Sequence, residues 1–191
     1  VVVKGEGGET RVDTKNVILA TGSRPKSLPG ITPDGKTILT SDDILKLKEI
    51  PKSLVVIGAG AVGMEFASMF ARFGSTVTVI EMLPRILPLE DEEISAEAHK
   101  VLAKQMTIHT GAKTEAVLKT ANGVEDGIHT AKGESKTVNA DLLLLAVGRG
   151  PVTDGLNLES TKAQLDRGYV KTSSLMATDE PGLYAIGDVA A

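Results

Sequence analysis

The sequence predicts an α/β fold with a parallel sheet covered on both faces, and two observations carry that expectation. Leu54–Ile57 and Leu142–Val147 are short, unbroken apolar runs, as strands buried on both sides require. The first run also leads through Gly58, Gly60 and Gly63 into an amphipathic stretch, and then into a β-rich run over Thr76–Ile80 that ends at Glu81. Strand, glycine-rich turn, helix, strand and acid, in this order, open a Rossmann-like three-layer unit that binds dinucleotides.

Each glycine has its own physical task. Gly58 allows the tight turn, Gly60 has no Cβ and so admits a pyrophosphate close to the backbone, and Gly63 lets the helix pack against the strand. Ala61 and Val62 begin the helix, where unpaired N–H groups and the positive end of the dipole face the phosphates. Val62, Phe66, Met69, Phe70 and Phe73 fall on one helical face, and Gly74 suits the C-terminal cap. Glu81 stands at the roughly 20-residue distance of a carboxylate that accepts ribose hydroxyls, with Met82 beside it.

Before this unit, Val1–Val3 and Arg11–Thr14 read as strands joined across Gly5-Glu6-Gly7-Gly8, and Asn16–Ala20 as a further strand. Lys26–Lys36 carries the turn signals Pro29-Gly30 and Asp34-Gly35 and reads as a linker. Ser41 is placed to cap a short helix over Asp42–Lys48. After Glu81, the stretch Met82–Leu89 should be a loop. The acids Glu90–Glu93 should begin a helix that buries Ile94, Ala98, Val101 and Leu102. From Thr107 to Val138, breaks at Asn122-Gly123, Asp126-Gly127 and Lys132-Gly133 suggest a β-meander crossover of antiparallel strands. The apolar strand endings at 18–25, 144–151 and 184–188 echo one another, and two of them flank the glycine-rich unit, which implies a second domain.

The chain has 191 residues, a net charge of −4 and no long basic run, which argues against nucleic acid as a partner. Two Tyr, three Phe and no Trp offer little for base stacking. No apolar stretch approaches membrane length and no signal peptide is visible, so a soluble cytoplasmic protein without a membrane partner is expected. There is no cysteine, hence neither a thiolate metal site nor a redox-active thiol, and absent cysteine alone does not fix the compartment. His99, His109 and His129 lack metal-ligand spacing and read as surface or structural, so no metal site and no complete catalytic set is expected. A start without Met and an end at Gly187-Asp188-Val189-Ala190-Ala191, where another helix would begin, suggest a piece of a longer chain.

The order Ala-Thr-Gly at 20–22, Gly-x-Gly-x-x-Gly-x-Glu-x-Ala at 58–67, Gly-Arg-x-Pro at 148–151 and Gly-Asp at 187–188 resembles the flavin-dependent pyridine nucleotide-disulfide oxidoreductases. Within that family it is most similar to the branch that oxidises dihydrolipoamide. The resemblance implies an NAD-binding domain over 30–150, flanked by parts of an FAD-binding domain at 1–29 and 151–191. It implies that Asp188 meets the ribitol of FAD, that Thr21 and Gly22 lie near the flavin nucleotide, and that Glu65 points toward the nicotinamide end. Val147, Gly148 and Arg149 complete the candidate cofactor-binding positions. The family's first glycine-rich FAD motif, its cysteine pair, the lysine that pairs with Glu65 and its His–Glu pair have no counterpart here, so this stretch alone is expected to be inactive. Gly150 departs from the larger residue usual between Arg and Pro. The implied partners are NAD(H) and, for the whole enzyme, a lipoyl-bearing protein. The whole enzyme would be a homodimer, and this stretch a monomer.

Glu81 favours NAD over NADP, because a carboxylate accepts two ribose hydroxyls and repels a 2′-phosphate. Arg85, the one nearby cation, leaves an NADPH-dependent disulfide or mercuric reductase as the alternative. A non-catalytic NAD-binding module is a third reading.

Overall fold

The computed structural model describes residues 1–190 and divides the chain into two compact units. One comprises Val1–Arg24 with Arg149–Ala191, of which 191 lies outside the described residues, and the other is the continuous run Pro25–Gly148. These limits precede the sequence-derived 30 and 150 by a few residues.

In the first unit, β1 (Val2–Gly5) and β2 (Gly8–Arg11) form an antiparallel hairpin closed by the Gly5–Gly8 pair. The expected strand over Arg11–Thr14 therefore ends where it was thought to begin, because the turn needs only Glu6 and Gly7. Strand β3 (Val17–Leu19) follows, then β4 (Ser23–Pro25), whose last residue is the first of the second unit.

The second unit opens with β5 (Ile38–Leu39) and α1 (Ser41–Ile44). The residue before α1 is Thr40, not Ser41, and the helix is a single turn instead of the span 42–48. Asp43 Oδ2 accepts from both Thr40 N at 3.0 Å and Thr40 Oγ1 at 2.6 Å, which fixes the helix start one residue early. Then come β6 (Ser53–Ile57), α2 (Ala61–Arg72), β7 (Thr76–Glu81), α3 (Glu92–Leu102) and β8 (Thr107–Thr110). The meander β9 (Lys113–Thr120), β10 (Gly123–His129) and β11 (Ser135–Ala140) follows, and β12 (Leu142–Leu145) closes the unit. Back in the first unit are β13 (Arg149–Pro151), β14 (Leu165–Asp166), β15 (Tyr169–Val170) and β16 (Leu183–Ala185).

Strands β5, β12, β6, β7 and β8, in that order, make one parallel sheet. Alternation along each strand sends its side chains to two separate cores. Leu54, Val56, Val77, Val79 and Leu144 pack with Met64, Ala67 and Phe70 of α2. Val55, Ile57, Ile80, Leu143 and Leu145 pack with Val124, Ile128 and Ala140 of the antiparallel meander. Helices, parallel sheet and meander are thus the three layers expected. The segment expected to be a linker is instead part of the packing: Ile31 is buried in the second core. Asp34 Oδ1 accepts from the N–H groups of Lys36, Thr37 and Ile38, and its Oδ2 lies 2.7 Å from Lys119 Nζ in β9.

Two helix faces differ from expectation. α2 buries Gly63, Met64, Ala67 and Phe70, while Val62 and Phe73 are exposed and Phe66 and Met69 lie at the rim of the core. Phe70 is buried as expected, but Gly63 and Ala67 let helix and sheet approach closely beside Met64, so the inward face is rotated from the one that large apolar residues alone select. In α3 Ala98 and Leu102 pack against the core as expected, whereas Ile94 and Val101 are exposed and the fully buried residue is Ser95, whose Oγ donates to the Ile86 carbonyl at 2.6 Å. The acids are placed as expected, with Asp91 Oδ1 capping α3 through Glu93 N at 2.9 Å. Asp126-Gly127 is not a turn: both residues lie within β10, next to a register shift at Gly127/Ile128.

Candidate dinucleotide site

The parallel register brings the ends of β6, β7 and β12 to one edge of the sheet, where the candidate residues of the second unit meet. Ala146 N donates to the Ile57 carbonyl at 2.8 Å and Gly58 N to the Ile80 carbonyl at 2.8 Å, so the glycine-rich turn rises between two neighbouring strand ends.

The three glycines are unlike in their surroundings. Gly58 has φ +103°, and a Cβ there would lie 2.5 Å from the Ala146 carbonyl oxygen and 3.2 Å from Val147 N. A Cβ on Gly63 would lie 1.9 Å from the Gly58 carbonyl oxygen. Both positions are closed by backbone, and each demands glycine for packing alone. Gly60 has an ordinary backbone conformation and nothing within 4 Å of where a Cβ would be. Nothing in the fold requires glycine at 60. The open space above it, at the start of a helix that no side chain caps, suits a pyrophosphate. Ala61 and Val62 are the exposed first residues of that helix.

Glu81 ends β7 and is 8% exposed. Its Oε2 accepts from Ala59 N at 2.6 Å and its Oε1 from Leu83 N at 2.8 Å. The carboxylate is therefore tied to the glycine-rich turn itself, and a carboxylate still has acceptor capacity beyond two bonds. Met82 beside it is exposed. Arg85 is committed locally, with Nη2 donating to the Pro88 carbonyl at 3.0 Å and Nη1 3.3 Å from Glu92 Oε1. Val147 is half-buried in the meander-side core, and the Gly148 carbonyl accepts from Lys26 N at 2.9 Å. Glu65 is exposed on α2. A groove of about 660 Å³ along α2 is lined by Glu65, Met69, Phe73, Leu87 and Leu102, and not by Gly58, Gly60 or Glu81. A dinucleotide lying across an open sheet edge does not need an enclosed cavity.

The remaining candidates belong to the first unit. Parallel pairing of β3 with β16 sets Thr21 and Gly22 beside Gly187 and Asp188, with Ile186 N donating to the Leu19 carbonyl at 2.9 Å. Thr21 Oγ1 donates to the Val152 carbonyl at 2.6 Å. Asp188 is exposed, and its Oδ2 accepts from Ser23 Oγ at 2.6 Å. Arg149 donates from Nε to Ser23 Oγ at 2.8 Å and from Nη2 to the Ser23 carbonyl at 2.8 Å. Sequence reasoning missed three contributors: Ala59, Ala146 and Ser23. Two act through the backbone, which no residue pattern displays, whereas Ser23 lay within the echoed strand endings and could have been noticed there. Among the described residues no cluster of His, Asp or Glu is arranged to hold a metal ion.

The pyridine nucleotide-disulphide oxidoreductase family model matches residues 1–191. The chain is 42% identical over 190 residues to a dihydrolipoyl dehydrogenase of Chlorobaculum tepidum, covering 99% of this chain and 40% of that protein. It is 45% identical over 189 residues to a dihydrolipoyl dehydrogenase of Rhizobium etli, covering 98% of this chain and 39% of that one. The crystal structure of LpdA from Mycobacterium tuberculosis superposes with a TM-score of 0.89 at 30% identity, over 100% of this chain and 41% of that one. The chain thus spans about 40% of the length of the relatives it matches. With the motif order, the three-layer fold and this match over all its residues in agreement, the chain belongs to the pyridine nucleotide-disulphide oxidoreductase family.

Proposed function

We propose that this chain is the NAD(H)-binding portion of a flavin-dependent dihydrolipoyl dehydrogenase. The observation that carries this reading is Gly60: its glycine is unexplained by packing, the space above it is open at an uncapped helix start, and the preceding residue is held by the Glu81 carboxylate. Pro25–Gly148 would hold NAD(H), and Thr21, Gly22 and Asp188 would contribute to an FAD site in the whole protein. FAD when bound would supply the hydride carrier, while this chain's residues hold the nucleotide: Ala61 and Val62 through backbone N–H groups, and Glu81 through ribose hydroxyls. Glu65, exposed on α2, would face the nicotinamide end. Dithiol oxidation of a lipoyl-bearing partner, a homodimeric whole enzyme and a cytoplasmic location are parts of the same proposal. No helix among the described residues is long and apolar enough to cross a membrane.

NAD is preferred to NADP because Glu81 would occupy the ribose position and Arg85 is held through Nη2 by the Pro88 carbonyl. Titration with NADH and, separately, NADPH, followed by the reduced cofactor's fluorescence, tests this. NADH is expected to bind at least tenfold tighter, a difference of about 1.4 kcal/mol. Tighter NADPH binding would move an NADPH-dependent reductase ahead, and no binding of either would remove the nucleotide site.

A further inference from the structure

We infer that Glu81 is a positioning residue for the glycine-rich turn as well as a ribose acceptor, so that one carboxylate sets both the pyrophosphate cradle and the adenosine ribose contact. This rests on the dinucleotide-binding reading. Glu81 Oε2 holds Ala59 N–H at 2.6 Å, from the residue between the first two glycines of the motif. The Ala59 carbonyl in turn accepts from Leu87 N at 2.7 Å, and Leu83 N donates to the other oxygen of Glu81 at 2.8 Å. Ala59 itself is fully buried. The turn that presents Gly60 and the start of α2 is thereby fastened, through the N–H and the C=O of one residue, to the end of β7 and to the segment after it. A charged acceptor is the strong partner in such a bond, and the buried N–H it satisfies is costly to leave unmade.

The replacement Glu81→Gln keeps the shape but puts an amide N–H₂ where one of two N–H donors must be accepted. The bond to Ala59 or to Leu83 is then lost whichever way the amide turns. Affinity for NADH and for its analogue lacking both hydroxyls of the adenosine ribose forms a cycle between residue and ligand group. A residue acting on ribose alone would lose its effect with the analogue, leaving the two proteins within about twofold. Positioning of the turn predicts a remaining loss of at least about fivefold.

A second variant leaves the carboxylate intact: replacing the Ala59 backbone amide with an ester removes the N–H donor and sets an ester oxygen against Glu81 Oε2 in its place. NADH binding should weaken by at least about fivefold if the tie matters, and unchanged affinity would overturn the inference. Amide exchange at Ala59 without ligand completes the test. It should be strongly protected in the parent and at least about tenfold faster in Glu81→Gln, relative to amides of β6. Failure of the parent to bind NADH would sink the nucleotide reading while Ala59 exchange still decides the tie; equal exchange in both proteins would sink the tie.

Discussion

At Gly60 a single methyl group separates function from folding. The conformation, φ −70° and ψ −178°, is open to any residue, and the space beside it is empty. Gly60→Ala should therefore lower the melting temperature by no more than about 4 °C, because alanine at the N-cap of α2 costs about 1 kcal/mol or less relative to glycine. NADH binding should nonetheless weaken by at least about tenfold, since the methyl group occupies the pyrophosphate's approach. Gly63→Ala should do the reverse. Its Cβ would be driven to 1.9 Å from the Gly58 carbonyl oxygen, so thermal unfolding should move down sharply whether or not cofactor is present. Paired melting curves and NADH titrations of the two variants separate these outcomes, and equal effects on both would contradict them. The spacing of the glycines was visible in the sequence, but which of them serve packing was not. For Gly58 that depends on the Ala146 carbonyl, just past the end of β12 and almost ninety positions away, and for Gly63 on the Gly58 carbonyl.

Strand β10 carries a carboxyl that its surroundings do not balance. Asp126 is fully buried, its Oδ2 accepts from Thr114 Oγ1 at 3.3 Å, and its Oδ1 has no partner. Burial pushes its pKa up to about 7 against the weaker opposing effect of the Thr114 bond. The folded state thus keeps a proton that the unfolded chain releases near pH 4, so stability falls as pH rises from about 4 to about 7 and levels off above that. The cost is of the order of 4 kcal/mol once the group is ionised. Asp126→Asn should remove this slope, and unfolding free energies of both proteins between pH 5 and pH 8.5 measure it; parallel curves would refute the assignment. His109 in β8, whose pKa is lowered first by burial and then by Lys136, favours higher pH below its ordinary value of 6.5, but it is common to both proteins and drops out of the comparison. In the sequence Asp126-Gly127 looked like a turn, because polar-plus-glycine pairs usually are. Burial of Val124, Asp126 and Ile128 on one face marks it instead as strand interior. The same limit applies to α2 and α3. Residue type predicted that helices form there, while the inward faces were decided by close approach at Gly63 and Ala67 and by the Ser95 bond to Ile86, which periodicity of large apolar side chains does not register.

Across the whole molecule the two units differ in how much core they own. Pro25–Gly148 is one continuous run with an apolar core on each face of its parallel sheet. The other unit joins two distant segments around Leu19, Leu158, Val170, Ala185 and Val189, and its β1–β2 hairpin is exposed along its length. Burial scales with the size of a unit, so the smaller core should be the weaker one, and bringing together its separated segments adds a loop-closure cost. The repeated strand endings suggested a second domain, because two of the three flank the glycine-rich unit; the extent of each core could not be read from the sequence. A chain of residues 25–148 alone is therefore expected to fold cooperatively and to bind NADH within about threefold of the 191-residue chain, since the residues proposed to hold the nucleotide lie inside it. Calorimetry of the 191-residue chain should resolve two transitions, the lower one absent from the shorter chain and the upper one raised by NADH. Should the shorter chain fold yet fail to bind, the nucleotide site would have to draw on residues outside 25–148. Should it fail to fold, the division into two independent cores would be wrong.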